Sequence, residues 1–271
     1  MRKVLLPLLL LIGISMQVSA QRSNNIMKDP IPLGMFQVTY AFHIPGMDLK
    51  TDFGVSHTIG GSFCYKTASN WLLTANGNYI FGSRLKGDRI DLFGEGITTV
   101  DGEIIGGEGS VAGFSVNQRG VHFQAEVGKM FSFGPNPNCG IFVQAGLGYL
   151  MNRIRIDFQH EMYNTPYMVN GDYKYGYDRM RGGPAFHLET GYLLLSDNRV
   201  TNLAISLEAT YARARHLRDY DFRVFTDPET GEMLPVGRTD PAQRFNFLYY
   251  GIRLTWIIPT YQRQPEEFYY N

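Results

Sequence analysis

Cysteine is scarce in this chain of 271 residues: Cys64 and Cys139 are the two present. That is too few for a disulfide framework to replace a packed interior. Beyond the first twenty residues, no apolar run reaches the ~18 residues that a transmembrane helix needs, which excludes a helical membrane bundle. Neither charge sign is in excess, with 25 Lys and Arg against 25 Asp and Glu. A nucleic-acid partner calls for a basic stripe, and none is present. No internal repeat or low-complexity tract occurs, and no Gly-x-Ser-x-Gly elbow of the acyl-hydrolase kind.

What is present begins with the three parts of a secretory signal peptide. Arg2 and Lys3 supply positive charge, Val4 to Ile14 the apolar stretch, and Val18-Ser19-Ala20 the small residues of a cleavage site. Residues 1–20 are therefore expected to be removed, so that Gln21 begins the mature chain. No cysteine follows to carry a lipid. Losing Arg2 and Lys3 from the 25 basic residues leaves 23 against 25 acidic ones. About 250 residues then remain, enough for one large β domain. An aromatic content of 14% and 30 glycines, with no helical span, point to a barrel or an exported β-sandwich.

Alternation with period two appears eight times, at about 35–44, 57–66, 71–81, 121–131, 141–152, 185–195, 203–212 and 247–258. The first segment sets Phe36, Val38, Tyr40, Phe42 and Ile44 against Gln37, Thr39, Ala41 and His43. The last sets Leu248, Tyr250, Ile252, Leu254, Trp256 and Ile258 against Tyr249, Gly251, Arg253 and Thr255. Between segments, short turns (Thr67 to Asn70, Ser132 to Gly140, Ser196 to Asn202) alternate with long connections (Gly82 to Gly120, Arg153 to Pro184, Arg213 to Asn246). Short turns on one side and long loops on the other suit an outer-membrane barrel, and an even strand count closes the sheet. The expected fold is an all-β, eight-stranded antiparallel up-and-down transmembrane barrel over 34–258. Tails at 21–33 and 259–271 are expected on the periplasmic side. Asp101-Gly102 and Asn170-Gly171 are hairpin signals within the loops. A further strand pair is expected from Phe222 to Phe225 and Met233 to Val236. The two cysteines fall on or beside strands that are not neighbours, so two free thiols at packed positions are expected.

Hydrocarbon offers no water to satisfy polar groups, so the continuous apolar face must point outward. Ten aromatics share that parity. Tyr65, Trp71, Phe131, Tyr192 and Trp256 stand at the short-turn end, and Phe42, Tyr79, Phe81, Tyr149 and Tyr211 at the other. They read as two interfacial girdles in contact with outer-membrane lipids. The same parity turns Glu126, Glu189, Glu208 and Arg253 inward at mid-depth, with His43, His122 and His187 nearer the outer end. Buried charge must be paired, so these residues read as a polar lumen network in which Arg253 bridges carboxylates.

The final segment, Tyr249-Tyr250-Gly251-Ile252-Arg253-Leu254-Thr255-Trp256, resembles the C-terminal assembly signal of outer-membrane barrels. Over about Gly34 to Ile258 the chain resembles small barrels of the OmpA-transmembrane-domain and OmpX type. That resemblance implies residence in the outer membrane and identifies architecture better than role; from the residues, a role without catalysis or cofactor is expected.

Candidate chemistry is sparse. The three lumen histidines come from separate strands without short ligand spacing, so the sequence assigns no metal. His216 with Asp219 and Asp221 could activate water, but the same residues are ordinary in a solvated loop, and no catalytic residue is assigned. Tyr163, Tyr167, Tyr173, Tyr175 and Tyr177 crowd the third long loop beside Asp172 and Asp178, as a contact surface would. Three roles stay open: a structural or binding barrel acting through its outer loops on a surface ligand, an accessory barrel of a secretion or envelope-assembly complex with an envelope protein as partner, and a narrow pore. Single cysteines, in a chain freed of its two native thiols, check the topology. Ser69 and Pro135 should resist a membrane-impermeant label on intact cells, while Glu103 and Glu229 react; the reverse pattern inverts the barrel.

Overall fold

The computed structural model describes residues 27–83, 86, 101, 103–105, 109, 111–158, 178–196, 201–218, 221–226, 233–238 and 242–260. Eight strands form the wall: β1 (Leu33–Met47), β2 (Ser56–Lys66), β3 (Trp71–Gly82), β6 (Phe114–Phe131), β7 (Gly140–Phe158), β8 (Arg181–Leu194), β9 (Leu203–His216) and β12 (Phe245–Pro259). Two small pairs lie outside it, β4 (Ile104–Ile105) with β5 (Val111–Ala112), and β10 (Asp221–Thr226) with β11 (Met233–Arg238). Every wall strand is antiparallel to both neighbours, and β1 pairs with β12 to close the ring. This is the up-and-down barrel expected from the alternation.

The register sets the tilt. Following paired residues from Leu194 through Leu203, Trp256, Val38, Gly61, Gly77, Phe123 and Tyr149 returns to β8 at Pro184, a stagger of ten residues. A stagger of that kind goes with strands inclined to the barrel axis. Side chains on such a wall alternate strictly between lumen and exterior.

The polarity is inverted relative to a soluble barrel. Phe36, Val38, Phe123, Leu147, Leu207 and Ile252 stand exposed on the outside, while Asn76, Gln124, Glu126, His187, Glu208 and Arg253 are buried within. Only a hydrocarbon surround makes that arrangement stable, so the chain spans a membrane with its strands. Among the described residues no helix is long and apolar enough to do so.

Two apolar clusters bracket the polar interior. At the short-turn end, Met35, Leu72, Met130, Phe142, Leu193 and Ile257 pack with Ile31 and both cysteines. At the other end, Ile80, Leu150, Ile154, Phe247 and Tyr249 pack with Leu49 and Phe53 from α1 (Leu49–Asp52) and the residue after it. The short turn between β2 and β3 places Asn70 at φ 61°, a left-handed conformation that asparagine tolerates better than most residues.

Several details depart from expectation. Wall strands run further on the long-loop side, β6 starting at Phe114 and not Val121, and β7 ending at Phe158 and not Asn152. Residues 31–33 are not a free tail: Leu33 opens β1, and Ile31 donates its N–H to Asn138 Oδ1 in the closed base. Ile104–Ile105 pairs with Val111–Ala112, with Gly109 at φ 80° in the turn between them. The hairpin expected at Asn170-Gly171 lies outside the described residues, as do residues 1–26, 97–100 and 261–271. The pairing of β10 with β11 follows the expected one. Leu207 lies midway along β9, between Leu203 and Tyr211, facing lipid. Leu207→Arg should destabilise the folded barrel by about 2–4 kcal/mol in urea titrations from lipid vesicles; an unchanged midpoint would contradict the orientation of the wall.

Candidate functional site

Strand pairing brings three carboxylates to one depth. Glu189 and Glu208 are direct partners across β8 and β9, a like-charge pair that is destabilising unless something positive intervenes. Arg253 from β12 does so, with Nη2 2.5 Å from Glu208 Oε2 and Nη1 4.0 Å from Glu189 Oε2. Glu126 enters from β6, where Gly146 separates it from His187: Gly146 pairs with Glu126 on one side and His187 on the other. A Cβ at Gly146 would stand 2.5 Å from Glu126 Cγ, so glycine there lets the two side chains approach across the strand between them.

Each charged group is held by hydrogen bonds. Asn76 Nδ2 donates to Glu126 Oε1 at 2.9 Å, and Gln124 Nε2 donates to the same oxygen. Ser206 Oγ donates to Glu189 Oε1 at 2.6 Å. His43 Nε2 lies 2.5 Å from Glu208 Oε1, and its Nδ1 lies 2.9 Å from Thr58 Oγ1. With Nε2–H donating and Nδ1 accepting, both nitrogens of a neutral imidazole are satisfied. His187 Nδ1 is 2.8 Å from Thr210 Oγ1, and its ring stands 5.9 Å from that of His122.

All six residues expected in the lumen network, Glu126, Glu189, Glu208, Arg253, His122 and His187, are buried inside the wall. On β8 His187 stands two residues nearer the long-loop end than Glu189, and on β6 His122 stands four residues nearer it than Glu126. From that side His43 and His187 reach the carboxylates, His43 Nε2 at 2.5 Å from Glu208 Oε1 and His187 Nε2 at 3.4 Å from Glu126 Oε1. The ten aromatics expected at the interfaces all have outward parity, Trp71, Phe131, Trp256, Tyr79 and Tyr149 among the well-exposed ones.

Some contributors escaped the sequence reading. Thr58 and Thr210 orient His43 and His187, and Ser206 orients Glu189; their signal was inward parity. Lys66 is buried at the base, its Nζ 2.7 Å from Asn138 Oδ1 and 3.1 Å from the Ile31 carbonyl. It shares the parity of Cys64, so the pattern could have found it. At the long-loop rim, Asp52 binds Arg181 at 2.5 Å and Arg179 at 3.3 Å, tying α1 to the start of β8.

The other chemical candidates come apart. Both cysteines are buried and unbonded to each other. Cys139 donates its thiol to the Leu195 carbonyl at 3.1 Å, and burial pushes that thiol above its ordinary range, which leaves it a poor nucleophile. His216 packs edge-on against Phe245 with ring centroids 5.1 Å apart. Its suggested partner Asp219 lies outside the described residues, as do Tyr163, Tyr167, Asp172, Tyr173, Tyr175 and Tyr177.

No family model and no curated protein matches the chain. Among solved structures it is similar to Ail, the attachment invasion locus protein of Yersinia pestis. That likeness has 6% identity and a TM-score of 0.36, and covers 83% of this chain and 99% of that one. A second Ail structure, in complex with the heparin analogue sucrose octasulfate, gives 9% identity and a TM-score of 0.35 over the same shares. The outer membrane protein OprG of Pseudomonas aeruginosa gives 12% identity and a TM-score of 0.36, covering 85% and 99%. At such values the role of this chain is read from its own residues.

Arg253→Ala would leave Glu189 and Glu208 side by side without their cation. It should cost roughly 3–5 kcal/mol of stability, as breaking a buried pair does, while Glu208→Gln costs less because the amide keeps shape and some hydrogen bonding. Urea unfolding in lipid vesicles measures both, and equal stability of Arg253→Ala and the parent chain contradicts a bridging role.

Proposed function

We propose that this is a non-enzymatic integral outer-membrane barrel, exported through a cleaved signal peptide, with a structural or binding role carried by its extensions on the long-loop side. The observation behind this reading is the asymmetry of the wall. β6 and β7 contain 18 and 19 residues, whereas a tilted strand crosses the hydrocarbon in about 9–11. The excess lies on the long-loop side, where β10 and β11 add a further strand pair. On the opposite side the turn from β2 to β3 needs Thr67 to Asn70 and no more. Long connections are usually functional or disordered, and the β10–β11 pair within one of them argues against disorder.

The interior argues against the narrow-pore alternative. Phe247, Leu150 and Tyr249 pack above the charged layer, and Met35, Phe142 and Ile257 below it. Within the upper layer, Tyr249 Oη donates to Asn152 Oδ1 at 3.0 Å and accepts from Gln118 Nε2 at 2.5 Å, which holds the ring across the lumen. The accessory-subunit alternative would use the tails at 21–33 and 259–271; in the second, Thr260 donates its N–H to the Gly34 carbonyl at 2.9 Å.

Replacing residues 221–238 by a short Gly-Ser link tests the binding role. Heat-modifiable migration on gels should persist, because the wall ladder is untouched. Partners that co-purify with the intact chain from mild detergent should be lost. An unchanged set of partners would remove the binding role from this hairpin. Loss caused by deleting 261–271, and by that deletion alone, would move the role to the periplasmic side.

A further inference from the structure

His187 poses a problem that hydrogen bonding does not solve. Its side chain is 1% exposed, and its Nε2 faces three carboxylate oxygens: Glu126 Oε1 at 3.4 Å, Glu189 Oε2 at 3.7 Å and Glu208 Oε2 at 3.7 Å. None of these makes a hydrogen bond with Nε2, which has no hydrogen-bond partner, and Glu126 Oε2 has none either. Where Thr210 donates to Nδ1, Nε2–H faces the carboxylates at distances too long for a normal hydrogen bond. Where Thr210 accepts from Nδ1–H, the Nε2 lone pair points at the carboxylates, an arrangement that repels unless something positive sits between them.

The distances suggest what that is. Around a tetrahedral ion with bonds of 2.0–2.1 Å, neighbouring donor atoms stand about 3.4 Å apart. One donor atom each from Glu126, His187 and Glu189 lies within 4.8 Å of the others, at positions all buried. We propose that Glu126, His187 and Glu189 bind a divalent transition-metal ion, of the class that includes Zn²⁺, in the sealed lumen, with Glu208 facing the remaining position.

Three further features support this. The charge balances: three carboxylates against Arg253 leave two negative charges when the three lumen histidines are neutral, and one divalent cation cancels them. Each ligand is also oriented by a neighbour, as metal ligands commonly are: Asn76 and Gln124 hold Glu126, Thr210 holds His187, and Ser206 holds Glu189. Finally, the donor set of one imidazole and carboxylates suits Zn²⁺, Co²⁺ or Mn²⁺ better than Ca²⁺, which takes six to eight oxygens. The competing arrangement is a metal-free lumen in which His187 carries a proton on Nε2, as the neutral or the protonated ring. The proposal is independent of what the loops bind.

Because apolar clusters close both ends, the ion should enter as the barrel folds. The untagged full-length chain is refolded from urea into detergent micelles with Zn²⁺, passed through gel filtration in EDTA, and assayed for zinc by mass spectrometry. Heat-modifiable migration confirms folding. About one zinc per chain should be retained, and Co²⁺ in its place should give the visible absorption of a tetrahedral site. His187→Ala and Glu189→Gln should each lower retention at least about tenfold. If His187→Ala does not fold, Glu126→Gln, which keeps the volume and the hydrogen bonds, decides by the same readouts. A folded parent chain that retains no zinc overturns the proposal in favour of a proton on Nε2. So does a folded variant that retains as much zinc as the parent.

Discussion

In hydrocarbon an unpaired backbone N–H or C=O costs several kcal/mol, because no water can take the partner's place. An open sheet would leave two such rows, one on β1 and one on β12. Their pairing from Met35–Pro259 to Met47–Phe247 removes both. Once the ring is closed, each residue of the wall has a fixed side. Leu254 must meet lipid and Arg253 must not, and the same distinction repeats along all eight strands. The inverted polarity of the molecule follows from backbone satisfaction before any individual side chain is considered.

A ring of eight strands encloses little space, and side chains fill it. The interior is therefore a core in its own right, with layers: an apolar base, a charged middle and an apolar upper tier under α1. The charged middle carries the greatest risk. Glu189 beside Glu208 would push the two strands apart, and Glu126 adds a third negative group. Arg253 resolves one contact, and His43 completes the hydrogen bonding of Glu208. Glycine supplies the room, with Gly146 between Glu126 and His187 letting both long side chains share the space above one residue without Cβ.

Period-two alternation made the wall legible in the sequence, because lipid on one side and polar packing on the other leave each strand a single pattern. The inward assignment of Glu126, Glu189, Glu208 and Arg253 needed nothing beyond parity. Their mutual distances did not follow from it, since depth in the barrel depends on the stagger of ten residues, a property of all eight pairings together. That is why parity did not reveal that His187 and His43 reach the carboxylates from the long-loop side. The strand ends were illegible for a related reason. Above the membrane β6 loses its strict alternation, Asn117-Gln118-Arg119 being polar on both faces, and there pairing with β7 and not polarity keeps the strand going. The residues at the base were missed because Ile31 and Lys66 were assigned to a tail and a strand end, when Asn138 joins them.

Parity alone leaves one ambiguity at the seam. Slipping β1 against β12 by one residue would turn Phe36, Val38 and Tyr40 into the lumen and His43 into lipid, which hydrocarbon forbids. A slip of two residues keeps every face correct and costs the apolar belt almost nothing. It would move His43 about 7 Å along the strand, however, away from Glu208. That contact joins residues 165 positions apart and forms across the closed seam, with Gly251 of β12 lying between the two side chains. A carboxylate left short of its partner inside the sealed lumen carries a desolvation cost that no solvent offsets. The charged layer thus does what the lipid-facing belt cannot: it distinguishes between registers of the same parity, and makes closure in this one register the favourable way to bury three carboxylates.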